Sequence, residues 1–520
     1  MTAPYRAFAT VGAMTIVSRV LGFLRDVLIA AVLGAGPVAD AFFLAFRVPN
    51  LFRRLFAEGA FDSAFIPLFA KRLHGEGEAP ARAFAEQALA GLTLGLVAFT
   101  LLAEIAMPWL MVALAPGFSR DPAKFDLAVT LARIALPYLL CMSLVALYSG
   151  VLNALGRFAV AAFAPSLLNV VLIVILLVLV ALGVSDQADA AVALAWGIAA
   201  SGLLQVLVVA AAAARATMRL AWQRPRLTLE MRRLIALAAP GIIAGGMAQL
   251  TVLLNTIIAS LQDRVVSWLY YSDRLFQLPL GVIGVAIGVA LLPDLSNKLR
   301  AGDHQAAMGS ENRSLEFALL LTLPAAIALF VGAGPMVRVL FEHGAFTAID
   351  ALATAKMLAA FALGLPAFVL IKVLHPSYFA REDTHTPMLY AGISMTANLS
   401  LSLILFLVLG AVGIAIATAL AGWLHVALLA HTLIEREELV LDDTFRRRFR
   451  GIVAASLVMG AVLLALMQLL DPWFAPAGGI VRQAAALLAL IASGLIAYGA
   501  AAELFGAVRL KTLLASLRGA

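Results

Sequence analysis

Fourteen apolar runs of spanning length, parted by short polar intervals, organise this chain of 520 residues. They fall at roughly 8–33, 39–70, 82–107, 126–154, 161–183, 189–214 and 233–260, then 267–296, 313–337, 350–375, 386–409, 411–433, 450–470 and 482–507. A membrane helix needs about 20 such residues, whereas a barrel strand needs about ten that alternate. The pattern therefore predicts helices, which satisfy their own backbone in lipid. The expected fold is an all-α polytopic membrane protein with about 14 transmembrane helices. Composition agrees: 63% of residues are hydrophobic and 13% charged, against about 45–50% and about 25% in soluble domains.

The polar intervals set an expected orientation. With the N-terminus in the cytoplasm, inner loops and tails hold 23 of the 37 Lys and Arg, including Arg215, Arg219, Arg224, Arg226 and the run Arg446-Arg447-Arg448-Phe449-Arg450. The outer loops hold five: Arg120, Lys124, Arg264, Arg338 and Arg482. This is the positive-inside asymmetry. It explains the net charge of +7 without invoking nucleic acid. Both termini are then cytoplasmic, and no cleavable signal peptide is expected. The single cysteine, Cys141, rules out an internal disulfide and a cysteine-based metal cluster.

The chain also echoes itself at an offset of 226 residues. Ala64-Phe-Ile-Pro-Leu-Phe-Ala-Lys-Arg-Leu-His-Gly75 answers Ala290-Leu-Leu-Pro-Asp-Leu-Ser-Asn-Lys-Leu-Arg-Ala301, and, as a weaker echo one or two residues further apart, Gly117-Phe118 answers Gly344-Ala345-Phe346. The organisation this predicts is an N-terminal six-helix lobe (1–218), a basic linker (219–232), a second six-helix lobe (233–435) and two extra helices with a tail (436–520). An even-numbered repeat gives both lobes the same orientation, as in transporters whose halves rock about a central site.

Against this apolar background, charge inside the helices stands out. The first run carries Arg19, Arg25 and Asp26; the second carries Asp40, Arg47, Arg53, Arg54 and Glu58; the eighth opens Trp268-Leu-Tyr-Tyr-Ser-Asp-Arg274. A charge at the bilayer centre costs about 2.5–3.5 kcal/mol on insertion scales, so such residues should face a wet interior. A guanidinium-lined cavity suits an anion, and phosphate fits the planar fork. Arg19 and Asp26 are seven apart and share a face, with Arg25 about 120° away on an ideal helix and Gly22 between them as a bend. Arg54 and Glu58 are spaced i,i+4, which a plain ion pair could explain, leaving Arg53 as the better ligand. Pro49 and Gly59 are expected bends in the second run. Trp268, Tyr270 and Tyr271 are expected to form an interfacial belt, with Arg274 below it and Asp273 either pairing with it or pointing elsewhere.

Asn255, Asn398 and Ser402 are the oxygen donors available to a coupling cation, though lone polar residues in membrane helices more often bond a neighbouring helix. Lys372 is a further buried charge. The seven histidines show no metal spacing, and no catalytic motif is present.

Two long stretches carry a family resemblance. Ser18-Arg-Val-Leu-Gly-Phe-Leu-Arg-Asp26 with Asp40-Ala-Phe-Phe-Leu-Ala-Phe-Arg-Val-Pro-Asn-Leu-Phe-Arg-Arg-Leu-Phe-Ala-Glu-Gly-Ala-Phe61 resembles the N-terminal signature of the MviN/MurJ lipid II flippases. Tyr270-Tyr-Ser-Asp-Arg-Leu275, Pro279 and Gly281-Val-Ile-Gly-Val-Ala-Ile-Gly288 resemble that family's eighth helix. The family belongs to the multidrug/oligosaccharidyl-lipid/polysaccharide exporter superfamily. The resemblance implies a transporter in the bacterial plasma membrane, not an enzyme. Its cargo would be lipid II, the undecaprenyl-pyrophosphate-linked disaccharide-pentapeptide, moved from inner to outer leaflet by alternating access. It implies substrate binding by Arg19, Arg25, Arg53 and Arg274, with Asp26, Asp40, Arg47, Arg54, Glu58 and Asp273 supporting or gating. It also implies a tail groove over 450–507. No cofactor or metal is expected; coupling to the membrane potential or a monovalent cation is. Expected partners are lipid II, membrane lipids and cell-wall synthesis proteins, around a monomer. The rival readings are a cation-coupled drug or polysaccharide exporter of the same superfamily, and a membrane glycosyltransferase acting on a polyprenyl-linked sugar. The second would need a catalytic carboxylate with a metal and a sizeable soluble loop.

Overall fold

The computed structural model describes residues 3–54, 61–226, 228–475 and 478–507, and among them there are helices and no strands. The order is α1 (Ala3–Leu33), α2 (Pro37–Arg53), α3 (Asp62–Gly75), α4 (Glu78–Leu114), α5 (Pro122–Ala135), α6 (Tyr138–Ala154), α7 (Phe158–Phe163), α8 (Ser166–Ala181) and α9 (Gln187–Arg215). There follow α10 (Leu229–Ala259), α11 (Val265–Arg300), α12 (His304–Phe341), α13 (Ala348–Ala362), α14 (Leu365–Phe379), α15 (His385–Leu409), α16 (Ala411–Glu435), α17 (Asp443–Phe474) and α18 (Gly479–Leu504). Nine helical stretches among the described residues are long and apolar enough to cross a bilayer, so this is a multi-pass membrane protein.

Several predicted runs are broken pairs of helices. Pro137 parts α5 from α6, and Pro165 parts α7 from α8. Each proline lacks the N–H that would continue the ladder. Gly364, followed by Leu365-Pro366, parts α13 from α14. In the loops, polar side chains start the next helix. Asp121 accepts from the amides of Ala123 and Lys124, Thr228 from that of Met231, and Thr347 with Asp350 forms a reciprocal capping box.

The chain condenses into two compact units: Met1–Ser267 with His343–Phe346, and Trp268–Glu342 with Thr347–Ala520. The division places α10 with the first unit, whereas the repeat expected from the sequence would group it with a second lobe. Side chains account for this. Arg47 donates to the Thr256 hydroxyl, Arg54 to Gln249 at 3.0 Å, and Arg72 pairs with Glu230.

Within the first unit, the Gly-Phe echo has a structural counterpart. Gly117 lies so close to the end of α10 that an added Cβ would sit 2.0 Å from the Ser260 carbonyl oxygen. Gly344 lies against the end of α1, where a Cβ would sit 2.2 Å from the Ala31 oxygen, and the Ala345 amide donates to that same oxygen at 2.8 Å. Phe118 and Phe346, the aromatic partners in the two copies, are both buried. Thus Gly117 seats on the end of α10 and Gly344 on the end of α1.

In the second unit, the stretch Ala348–Phe379 is the centre: 72% of its apolar window is buried, against 17% for α15 and 28% for α18. The Tyr378 hydroxyl donates to the Leu429 carbonyl at 2.7 Å, joining α14 to α16. Helices α17 and α18 pack on each other and on α12, through Met459, Leu463, Leu490 and Ile327. In the first half of α12, Glu316 accepts from Arg313 (2.8 Å) and Arg448 (3.1 Å), which fixes the beginning of α17.

Candidate functional site

The helix α1 buries adjacent opposite charges. Arg25 and Asp26 are 4% and 1% exposed. The Arg25 Nε and Nη2 donate to one Asp26 oxygen at 3.0 and 2.6 Å, and Nη1 donates to Asn169 on α8 at 2.9 Å. The guanidinium also lies 5.5 Å from the Phe46 ring centroid. The ideal-helix projection set Arg25 and Asp26 on different faces, but a flexible four-bond side chain curls back to the neighbouring carboxylate. Gly22 brings α8 close: Asn169 Nδ2 lies 3.4 Å from where its Cβ would be and donates to the Ser18 carbonyl at 3.1 Å. A buried ion pair persists only when further hydrogen bonds satisfy it, and Asn169 supplies one. Arg19, a turn and a half earlier, is exposed, as are Ile16 and Val20 beside it.

Arg53 ends α2 half-buried, its Nε 3.3 Å from the Asn50 oxygen. Arg53 and Arg25, 28 apart in sequence, both belong to the first unit. Arg47 and Arg54 differ from them, because their guanidiniums pin α2 to α10 through Thr256 and Gln249. The cavity beside Arg47, lined by Leu44, Leu51 and Leu253, has about 10 Å³ of free volume. That admits roughly one water and no headgroup. Glu58, the expected partner of Arg54, lies outside the described residues.

Asp40 is wholly buried and carries the densest polar network of this unit. It accepts from Lys124 Nζ at 2.8 Å, from the Arg264 amide at 2.8 Å, and from the Ser267 amide and hydroxyl at 2.9 and 2.6 Å. Lys124 is itself buried, reaches Asp263 at 2.8 Å, and lies 4.1 Å from the Phe118 ring centroid. Asp40 therefore closes the turn between α10 and α11, where Arg264 takes a left-handed backbone (φ 71°) that an L-residue adopts only when its surroundings hold it. The sequence marked Asp40 but counted Lys124 only as an outer-loop cation. The available signal was its place two turns beyond the Gly117-Phe118 motif, behind the Asp121 cap.

In the second unit, Arg274 stacks 4.9 Å from the Tyr270 ring centroid and donates to that hydroxyl at 3.0 Å. Asp273 accepts from Gln277, one turn on. The expected aromatic belt is not there. Tyr271 is fully buried against Phe341, ring centroids 5.0 Å apart, Tyr270 is 9% exposed, and Trp268 donates its indole N–H to Asp350 at 3.0 Å. Packing inside the unit claims these rings before a membrane interface can. Asn255 and Asn398 are buried, and Ser402 donates to Asn398 at 3.5 Å, on the shared helix face expected of them. Lys372 is exposed. No group of three metal-ligating side chains occurs among the described residues.

The family described as lipid II flippase MurJ matches residues 29–477. A probable lipid II flippase MurJ of Rhizobium meliloti (strain 1021) is 46% identical over 99% of this chain and 96% of its own length. One from Vibrio cholerae is 36% identical over 97% of both. A solved lipid II flippase MurJ in an inward closed conformation is 26% identical, with a TM-score of 0.77 over 95% of this chain and 98% of its own. An inward-facing multidrug resistance MATE family transporter of the MOP superfamily shares the fold, with a TM-score of 0.67 at 13% identity. Family profile, relatives along the whole length and a solved structure agree: the chain belongs to the lipid II flippase MurJ family.

Proposed function

We propose that this protein carries lipid II from the inner to the outer leaflet of the bacterial plasma membrane by alternating access, as a transporter and not an enzyme. Family membership along the whole chain supports the cargo. The observation that carries the chemistry is the Arg25 node: a buried guanidinium held by Asp26 and Asn169. Shedding the water around a diphosphate is the main barrier to unaided flipping. Arginine forks replace that water with charge-assisted bonds. We assign pyrophosphate binding to Arg19, Arg25, Arg53 and Arg274. Asp26 and Asp273 position or moderate that charge, and Asp40 holds the α10–α11 turn. The polyprenyl tail lies along α17 and α18, whose lipid-accessible surfaces are largely apolar. Coupling is to the membrane potential or to a monovalent cation, for which Asn398 and Ser402 offer oxygens. Both termini are cytoplasmic.

The test replaces Arg19, Arg25, Arg53 and Arg274 singly with alanine. Appearance of lipid II on the outer face is measured beside the amount of inserted protein. Transport falls at least tenfold with insertion unchanged. Wild-type transport by all four variants would remove the arginine assignment.

A further inference from the structure

The linker between α9 and α10 is not a free tether. Arg82 donates to the Thr217 carbonyl at 2.6 Å, and the buried Glu86 accepts from the Ala221 amide at 2.9 Å and from Gln223. Gln87 donates to Gln223 at 2.7 Å and accepts from the Arg226 amide at 3.3 Å. Met218 is fully buried beneath the strap. A segment without helix or strand is thus fastened along two turns of α4.

Its outward face is unusual. Residues 217–226 read Thr-Met-Arg-Leu-Ala-Trp-Gln-Arg-Pro-Arg, with three arginines and no acid. Arg219, Arg224 and Arg226 are exposed, and among the described residues none of their guanidiniums makes an ion pair. Trp222 is 61% exposed, and Leu229 at the start of α10 is 84% exposed. Fixed backbone with an outward tryptophan is costly in water and common at membrane interfaces.

Helix α4 gives the depth and direction. Leu94, Leu101, Ile105 and Trp109 are exposed and recur at helical spacing, which marks the lipid-facing stripe. Gln87 is seven residues before Leu94, hence on the same face and about 10 Å further along the axis. The headgroup layer occupies about 5–8 Å beyond each edge of the hydrocarbon. Leu94 to Trp109 spans about 22 Å of a hydrocarbon core of about 30 Å, so Leu94 lies a few Å inside its edge and the strap at Gln87 crosses the lipid side of α4 at headgroup level.

We propose that this strap is a docking surface for anionic phospholipid headgroups of the cytoplasmic leaflet, with Arg219, Arg224 and Arg226 contacting phosphates and Trp222 seated at the boundary of the acyl chains. It rests on the cytoplasmic placement of this loop in the proposed function. Juxtamembrane arginines are drawn to anionic leaflets, and removing one weakens binding roughly fivefold at low salt. Trp222 adds a contact that salt does not screen.

The full chain is placed in nanodiscs of phosphatidylcholine, with or without phosphatidylglycerol. Phosphatidylglycerol retained by the protein is counted by native mass spectrometry for wild type and for the combined variant Arg219→Gln, Arg224→Gln, Arg226→Gln. Quenching by brominated phospholipid, taken as the difference between wild type and Trp222→Phe, reports where that ring sits. The triple variant is expected to lose most retained phosphatidylglycerol while melting at the wild-type temperature in pure phosphatidylcholine. Trp222 is expected to be quenched. Equal retention by wild type and triple variant, or an unquenched Trp222 open to a soluble partner instead, would overturn the proposal. Neither readout requires flipping. Impermeant labelling of Trp222→Cys in a Cys141→Ala background reports the side of the membrane separately.

Discussion

Lys124 shows how a single residue changes meaning between sequence and structure. In the sequence it is one of five outer-loop cations; in the fold it neutralises a carboxylate with no solvent access. Removing one partner of a buried pair costs about 3–5 kcal/mol, because the other is left charged and dry. Lys124→Met should accordingly lower the unfolding temperature in detergent markedly, and adding Asp40→Asn should recover much of the loss. An equal loss in single and double variants would show that the two groups are not coupled. At Arg25 three guanidinium nitrogens donate to two acceptors in a planar fork, which an ammonium cannot reproduce. Arg25→Lys should keep the charge, lose the geometry, and reduce lipid II translocation about tenfold or more (about 1.4 kcal/mol). Transport at the wild-type rate would mean charge alone suffices. Arg25 stood out in the sequence because a buried guanidinium is expensive wherever it sits. Its partner Asn169 did not, because 144 residues separate them and an asparagine in an apolar run carries no mark of its neighbour.

Among the elements, the paired glycine contacts are the tightest backbone approaches described above. Gly117 and Gly344 each admit a backbone oxygen where a methyl would clash, and Gly344 also has a positive φ of 58°. Overpacking of this kind typically costs about 1–3 kcal/mol. If this end of the bundle opens during the cycle, the cost falls only on the closed arrangement. Gly117→Ala should then shift the population toward the open state by about tenfold per 1.4 kcal/mol, seen as faster modification of a cysteine placed at Leu261. Unchanged modification would mean the contact persists throughout the cycle. A second junction depends on acid. Asp383, after α14, accepts from the Thr386 amide and hydroxyl and from Arg436, which together push its pKa down from 3.8 to about 2. A carboxyl depressed by folding adds stability above pH 3.8 and loses it as pH falls toward 2. Asp383→Asn should flatten the difference in melting temperature between pH 5 and pH 2 relative to wild type; an unaltered slope would assign that acid sensitivity elsewhere. The element breaks at Pro137 and Pro165 were not resolved by hydropathy, which reads through a proline as long as both sides are apolar. The belt expectation at Trp268 failed for a related reason. Aromatic residues at a helix start look alike whether a membrane surface or a neighbouring helix receives them.

At the scale of the whole molecule, the fold class was readable because lipid leaves the backbone few choices, whereas the side-chain pairings that seat α10 were not. Whether α10 joins the first or the second unit depends on Arg47, Arg54 and Arg72 finding Thr256, Gln249 and Glu230, pairings across more than 150 residues that no local pattern encodes. A fold shared with a drug exporter at 13% identity carries no cargo information, so function depends on which charges this chain places on the common frame. Orientation follows the same logic, since the frame is compatible with either direction and basic residues choose between them. The 23-to-5 division of Lys and Arg predicts that the loop holding Ala301 is cytoplasmic and the loop holding Ser185 is outside. Both positions are exposed in the structure, so neither label would disturb packing. In a Cys141→Ala background, Ser185→Cys should react with a membrane-impermeant maleimide in intact cells, and Ala301→Cys only after permeabilisation. The reverse pattern would invert the direction of transport assigned to every arginine, because the same sites would then load from the other leaflet.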